Sequence, residues 1–355
     1  MKRKILSLML TICLAFTGVI STSKIASATE VASIPHVGTE VSGFTVKETA
    51  YDQASKSNKI LFEHLKTGAK LLVVKNGDIN RGFSIKFNTP AENDKGINHI
   101  IEHSVLGGSE KYPSSNIIFD VTNTTYVSFA NALTYPNMTV YPICSVSEEQ
   151  LYKSADIYLN AVFNPLLLSE EKIFEREGWR YELADESSPI IYNGIVYNEM
   201  QGSMGSIESV ALANAMKAIF PNSDQGNISG GDPSQITRLK YKELIDTYKE
   251  NYHPSNSFIV LYGDIDYEPF LKMIDEEYLS NYTKKVSNAD RDTQQAFSEL
   301  VEKTYLYPAA AGTDTNNKSV IDLVFATADL RELGEEKFVG LSMAISLLNL
   351  ESSSL

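Results

Sequence analysis

Two histidines and a glutamate share one short stretch of the sequence, His99-Ile100-Ile101-Glu102-His103. If this stretch is a helix, residues four apart lie on the same face, so both imidazoles can reach a single metal ion. Glu102 then lies beside them, close enough to activate a metal-bound water without itself binding the metal. The order H-x-x-E-H is the inverse of the H-E-x-x-H zinc motif. The pattern predicts a metal site; the alternative is two histidines that only pack at the edge of an amphipathic helix.

A zinc site with catalytic chemistry needs a third protein ligand and keeps its fourth position for water. A carboxylate on a separate helix would serve, and the sequence offers Glu177 and Glu199. Around Glu199, an apolar helix face is marked by Ile195, Val196, Met200 and Met204, so a carboxylate close to that face is not explained by solvation alone. The spacing of residues leaves both glutamates open as the third ligand.

The elements that must position these groups are a mixture of strands and helices. Alternating or continuous apolar runs predict strands at 43–48, 60–64, 70–74, 82–87, 125–132, 138–143 and 257–262. Helical patterns cover 96–106, 148–162, 170–180 and 194–207, and another helix follows residue 266. After a polar stretch at 284–295, the sequence predicts one strand at 319–327 and one helix at 335–350. A strand and a helix cannot bury a core alone, so this second unit looks cut off.

The first 28 residues read as a secretory signal peptide. Three basic residues precede an apolar run at 5–20, and small residues at 26–28 supply a cleavage site. This predicts a secreted, extracellular protein with no membrane span after removal of the signal. Removal takes away four basic residues, so the formal charge falls from −14 to −18. Such an acidic chain is a poor partner for nucleic acid.

Several ordered segments carry a resemblance to a known family. They are GINHIIEHSVLGGSEKYP, SFANALTYPNMTVYPI, FEREGWRYEL, YNGIVYNEMQG, SGGDPSQI and YHPSNSFIVLYGDI. In these the chain resembles the pitrilysin (insulinase-like) metallopeptidases, and more closely their presequence protease and falcilysin branch. The resemblance implies an α+β, mitochondrial-processing-peptidase-like unit. Its mainly antiparallel sheet would pack against helices, followed by the start of a second homologous unit.

The same resemblance implies roles for single residues. His99 and His103 would bind one Zn²⁺ per chain together with Glu199, and Glu102 would be the catalytic base. Glu177 would then orient a ligand rather than bind the metal. The segment 128–134 would be an exposed edge strand that pairs with a peptide substrate, with Asn131 and Ala132 matching the family best. Its residue types alone also suit an ordinary strand that ends in a turn.

The expected activity is that of a zinc metalloendopeptidase acting on peptides or unfolded segments. The predicted domains are 1–28 (signal peptide), 29–283 (zinc-binding catalytic domain), 284–300 (linker) and 301–355 (start of the second domain). Enzymes of this branch are much longer, so a C-terminal half is expected as a missing partner, without which cleavage should be poor. The alternatives are a non-catalytic peptide-binding or partner subunit, which the intact motif disfavours, and a purely structural exported protein.

Overall fold

A computed structural model describes residues 34–285, 294–295, 297–307, 309, 311–326 and 330–348 of the chain. The chain divides into two units, residues 1–34 and 35–355, and every element below belongs to the second. The predicted signal peptide at 1–28 lies outside the described residues. Across the described ranges, no helix combines the length and the apolar character needed to cross a membrane.

The strands are short and mostly alternate between inward apolar and outward polar side chains, as a sheet with one covered face requires. They are β1 (Glu40–Val41), β2 (Phe44–Asp52), β3 (Ser57–His64), β4 (Lys70–Lys75), β5 (Arg81–Asn88), β6 (Val127–Ala130), β7 (Leu133–Thr134), β8 (Met138–Ser145), β9 (Arg180–Glu182), β10 (Ile191–Asn193) and β11 (Ser257–Gly263).

Most strands join one mixed sheet. Its order is β1-β2-β3-β4-β11-β5-β8-β6, and β7 also pairs with β8. Among the described strands, only β11 and β4 pair in parallel. In the sequence, β11 follows the helices that carry most of the site, and in the sheet it lies between β4 and β5. A separate hairpin consists of β9 and β10. The sheet therefore ends, on one side, at the segment containing β6 and β7.

The helices follow the strands in several groups. They are α1 (Ile97–Val105), α2 (Ile117–Thr124), α3 (Glu148–Phe163), α4 (Glu171–Glu177), α5 (Ile195–Ser203), α6 (Ile207–Ile219), α7 (Pro233–Ile236), α8 (Tyr241–Asn251), α9 (Glu268–Met273), α10 (Leu330–Leu333) and α11 (Glu335–Leu348). A π-helical turn, Ile274–Tyr278, continues α9, and short 3₁₀ turns occupy Leu166–Leu168, Asp224–Gly226, Pro254–Asn256 and Leu279–Asn281.

The core lies between one face of the sheet and the helices that cover it. Ile85, Tyr141 and Ile259 point inward from three neighbouring strands and are fully buried. Helix α3 packs on β5 and β8, and its Leu151 and Leu159 are also fully buried. Burial of each such side chain away from water contributes about 1.5–3 kcal/mol to the free energy of unfolding. This packing fixes the platform on which α1 rests.

Two predicted helices end earlier than their apolar patterns suggest. The helix predicted over 170–180 stops at Glu177, because Gly178 leaves the helical conformation and Arg180 begins β9. The helix predicted over 194–207 stops at Ser203. A new helix, α6, then begins at Ile207, where the Ser206 side chain accepts a hydrogen bond from the Ser209 backbone N–H.

The predicted strand at 319–327 is wrong over its described part. Residues 319–326 form no strand, and Ile321 and Phe325 are more than four-fifths exposed, at 87% and 83%. A strand needs a neighbour to take its backbone hydrogen bonds, and no described strand pairs with this segment. The helix predicted at 335–350 is present as α11, and its last two predicted residues lie outside the described ranges.

Candidate metal centre

Both histidines of the H-x-x-E-H stretch lie on α1, as the spacing predicts. Ile100 and Ile101 between them are fully buried and hold the helix against the core. The two imidazole rings are neighbours, with centroids 4.9 Å apart. One face of α1 therefore anchors the helix, and the neighbouring face presents two ring nitrogens to a common point.

A backbone carbonyl fixes the orientation of His99. Its Nδ1 lies 3.0 Å from the Gly230 carbonyl oxygen. Because a carbonyl can only accept, Nδ1 carries the proton and Nε2 keeps its lone pair. That lone pair is what a metal ion requires. Gly230 was not predicted as a site residue, because a backbone contact across 131 positions of sequence leaves no side-chain signal.

Gly96, which begins α1, controls the position of the same carbonyl. It has a left-handed backbone, with φ of +65°, and a Cβ placed there would lie 2.6 Å from the Gly230 oxygen. An alanine at this position would therefore both strain the backbone and push away the acceptor for His99. The start of α1 and the orientation of its first histidine depend on one glycine.

We expect Gly96→Ala to lower the free energy of unfolding by about 2 kcal/mol, because strain and a backbone clash add. The measurement is urea denaturation of the metal-free protein. The matched control is Gly77→Ala, where an added Cβ meets nothing within 4 Å; it should change stability by less than about 0.5 kcal/mol. Equal stabilities of the two variants would contradict the prediction.

α5 brings the first carboxylate to the histidines. Val196 and Met200 bury one face of this helix, and its first turn packs closely on the end of α4. A Cβ at Gly194 would lie only 2.2 Å from the Gly178 carbonyl oxygen, so a side chain does not fit there. This close approach sets the position of Glu199, five residues further on.

Glu199 meets both histidines. Its Oε2 lies 3.7 Å from Nε2 of His99 and 3.6 Å from Nε2 of His103. One donor atom from each of the three residues falls within 4.8 Å of the others. Among the described residues, no other group of at least three His, Cys, Asp or Glu converges in this way. These three side chains could hold a divalent metal ion.

Glu177 contacts the opposite side of His103. Its Oε2 lies 3.5 Å from Nδ1 of His103, and its Oε1 accepts a 2.7 Å hydrogen bond from Nε of Arg176. The Glu177 side chain is 8% exposed, against 52% for Glu199. Burial lowers the pKa of His103, but Glu177 and the neighbouring carboxylates outweigh it, so that pKa is raised overall. Glu177 is thus placed to orient an imidazole, and Arg176 is a partner that the sequence did not predict.

Glu102 is buried beside the two histidines. Its Oε2 accepts a 2.5 Å hydrogen bond from the Thr134 hydroxyl. Burial raises the pKa of the Glu102 carboxyl above its ordinary value, and Thr134 and the histidines oppose this only in part. A carboxylate with a raised pKa accepts a proton more readily near neutral pH. Thr134 belongs to the predicted edge segment 128–134, but the sequence does not predict its contact with Glu102.

The segment that includes Asn131 and Ala132 lies at the edge of the sheet. Phe129 pairs with Cys144 and Thr134 pairs with Thr139, so residues 129–134 keep one register along β8. The backbone N–H of Asn131 donates to the Pro142 carbonyl at 3.2 Å, which continues that pairing. Ala132 is buried and Asn131 is exposed. Because Thr134 contacts Glu102, this edge runs directly past the candidate centre.

Comparisons with known proteins identify the family to which the chain belongs. Residues 88–194 match the family described as Insulinase (Peptidase family M16), and residues 238–343 match the Peptidase M16 inactive domain. Protein HypA of Clostridium perfringens is 40% identical over 268 residues, and Presequence protease 1 of Arabidopsis thaliana is 38% identical over 302 residues. These alignments cover 76% and 83% of this chain. The chain belongs to the pitrilysin (insulinase-like) family, in its presequence protease branch.

The pitrilysin-type fold is confirmed as well. The crystal structure of pitrilysin matches with a TM-score of 0.54 at 17% identity, over 72% of this chain and 26% of that one. The α+β class and the mainly antiparallel sheet agree with the fold expected of this family. The chain spans 28% of the length of both Protein HypA and the Arabidopsis protease.

The predicted secreted location is wrong. The family relatives from Arabidopsis thaliana, Schizosaccharomyces pombe, Drosophila melanogaster and Saccharomyces cerevisiae are named as mitochondrial or chloroplastic presequence proteases. The prediction rested on the basic start, the apolar run and the small residues at 26–28, all of which lie outside the described residues.

Proposed function

We propose that this chain carries the zinc-binding catalytic unit of a metalloendopeptidase that hydrolyses peptides or unfolded polypeptide segments. One observation carries the proposal: His99, His103 and Glu199 converge, while the buried Glu102 beside them has no place among the ligands. A metal with an acidic neighbour that stays unligated is the arrangement used to activate water for hydrolysis.

The donor set fits zinc. Two imidazole nitrogens and one carboxylate oxygen leave a fourth position open, which is typical of catalytic rather than structural zinc. Ligands at zinc distances in a tetrahedron lie about 3.3 Å apart. The separations of 3.6 and 3.7 Å between Glu199 and the two histidines are close to that value. One Zn²⁺ per chain is therefore expected.

In the proposed mechanism, the chain's own groups handle the proton and the substrate. Zinc, when bound, supplies Lewis acidity. Glu102 takes a proton from the attacking water and gives it to the nitrogen of the leaving amine. Thr134 holds the Glu102 carboxylate by its hydroxyl, while the Gly230 carbonyl and Glu177 orient His99 and His103.

The substrate would bind as an added strand. Backbone groups on the outer edge of residues 129–134 have no described strand beside them. An extended peptide can pair with such an edge by β-augmentation. We propose that Asn131 and Ala132 contribute to this pairing, which would bring the peptide past Glu102.

The domain assignment extends the proposal. Residues 29–283 would form the catalytic unit, residues 284–300 a linker, and residues 301–355 the start of a second unit. The curated relatives are more than three times as long as the aligned part of this chain. We therefore propose that zinc binding needs only this chain, whereas efficient hydrolysis needs a complementary polypeptide equivalent to the rest of those relatives.

The test combines metal analysis with hydrolysis of an internally quenched peptide. We expect one zinc per purified chain, and cleavage that a chelator abolishes and added zinc restores. A complementary polypeptide should raise the rate without changing the zinc content. Negligible zinc, or cleavage that persists in chelator, would contradict the proposal. Stoichiometric zinc with peptide binding and no cleavage would instead support the non-catalytic subunit.

A further inference from the structure

The edge segment has two faces with different chemistry. Ala130 pairs with Ile143 and Thr134 with Thr139, and both partners are buried, so this face looks toward α1 and the core. Phe129 pairs with Cys144 and Leu133 with Val140, and both of those partners are only half-buried. Directly opposed residues share a face of a sheet. Phe129 and Leu133 therefore lie together on the open face.

These two side chains are exposed although they are large and apolar. Phe129 is 47% exposed and Leu133 is 37% exposed. Asn131, which lies between them on the same face, is also exposed. The open face of the edge thus carries the sequence apolar, polar, apolar at every second residue. We call Phe129, Asn131 and Leu133 the open row.

We propose that the open row selects peptides whose apolar side chains are four residues apart, with a polar residue midway between them. This rests on the proposed function, because it places the substrate strand on the outer edge of residues 129–134. Side chains of an added strand alternate between faces, so every second substrate residue would lie beside the open row. Cross-strand apolar pairs stabilise a sheet, and here two such pairs would flank one polar pair.

The structure favours a peptide over a second copy of the chain as the occupant. The Thr134 hydroxyl bonds to Glu102, so a strand on this edge passes the proposed base. The register shifts between Val127 and Phe129, which marks a bulge at the start of the edge. A short, bulged edge is poorly suited to long strand-to-strand association between folded copies.

Two peptides of identical composition test the proposal. One carries phenylalanines four residues apart in a serine-rich background, and the other carries them three apart. A spacing of three puts the rings on opposite faces in every register, so it cannot satisfy both ends of the open row. Binding is measured by fluorescence anisotropy to the zinc-loaded Glu102→Gln protein, in which cleavage is expected to be at least about a hundredfold slower. We expect the four-spaced peptide to bind about tenfold more tightly.

Substitutions on the protein supply the control. Phe129→Ser and Leu133→Ser should each remove most of the preference for the four-spaced peptide, whereas Tyr51→Ser should keep that preference. Tyr51 is 60% exposed on β2, toward the far end of the sheet.

Equal binding of the two peptides would overturn the inference and leave the proposed function intact. A dimer that Phe129→Ser dissociates would assign the row to a second copy and also overturn it. Absence of binding by both peptides would count against the inference and the proposed substrate edge together, while zinc content tests the metal site separately.

Discussion

Replacing His103 with alanine is expected to lower the affinity of the chain for zinc by about a thousandfold. Zinc sites in small peptides bind with about 10–16 kcal/mol, so one of three protein ligands accounts for about 4 kcal/mol. The affinity is measured by competition with a chromophoric chelator. The pH is held fixed, since protons compete with zinc for the imidazoles.

His36→Ala is the matched control for this change. His36 is exposed and lies on neither α1 nor α5, so its loss should leave the affinity unchanged. The pair Glu199→Gln and Glu177→Gln then separates the ligand from the orienting residue. Glu199→Gln should lower the affinity for zinc nearly as much as His103→Ala does. Glu177→Gln should lower it by about 10- to 100-fold, as is usual for residues that orient metal ligands. The reverse order of effects would assign the third ligand to Glu177 and contradict the proposed role of Glu199.

Local sequence patterns predicted most of the sheet, because alternation and turn chemistry act over a few residues. β3, β4, β5, β8 and β11 occur within three residues of the predicted bounds. The errors came where local and distant effects compete. Helix α4 ends three residues early, at Glu177, and the next residue, Gly178, lies so close to Gly194 that no side chain fits at Gly194. The strand predicted at 319–327 has suitable residues but no described partner, and pairing depends on distant segments of chain.

The candidate site also combines groups that local sequence predicts with groups that depend on distant segments of the chain. His99, Glu102 and His103 share one helix, so their proximity follows from helical spacing alone. The choice between Glu177 and Glu199 needed either a resemblance or coordinates, because each lies on its own helix with an acceptable pattern. The contacts of Gly230, Thr134 and Arg176 at the site were not predicted, although Thr134 belongs to the predicted edge segment. Their contacts use a backbone carbonyl, a hydroxyl and a guanidinium contributed by separate segments, and no spacing rule relates these to the motif.

Glu102→Gln tests the chemistry rather than the metal. The amide keeps the shape of the side chain and can still face the Thr134 hydroxyl, but it cannot accept a proton from water. We expect the rate of peptide hydrolysis to fall by about 10²- to 10⁴-fold, the usual contribution of a positioned general base. The zinc content should stay at one per chain, because Glu102 is not among the three converging residues that could hold a metal ion. Rate and metal content are measured on the same preparation.

The control for this variant is Glu175→Gln, which makes the same chemical change at an exposed position on α4. It should leave both rate and metal content unchanged. If Glu102→Gln hydrolyses peptides at the original rate, another group must take the proton, and the burial of Glu102 against Thr134 would then be structural. If the variant instead loses its zinc, Glu102 contributes to the metal site, and the division between three ligands and one free base is wrong. Only loss of turnover with retention of metal fits the proposal that Glu102 is a buried carboxylate beside a zinc ion and does not bind it.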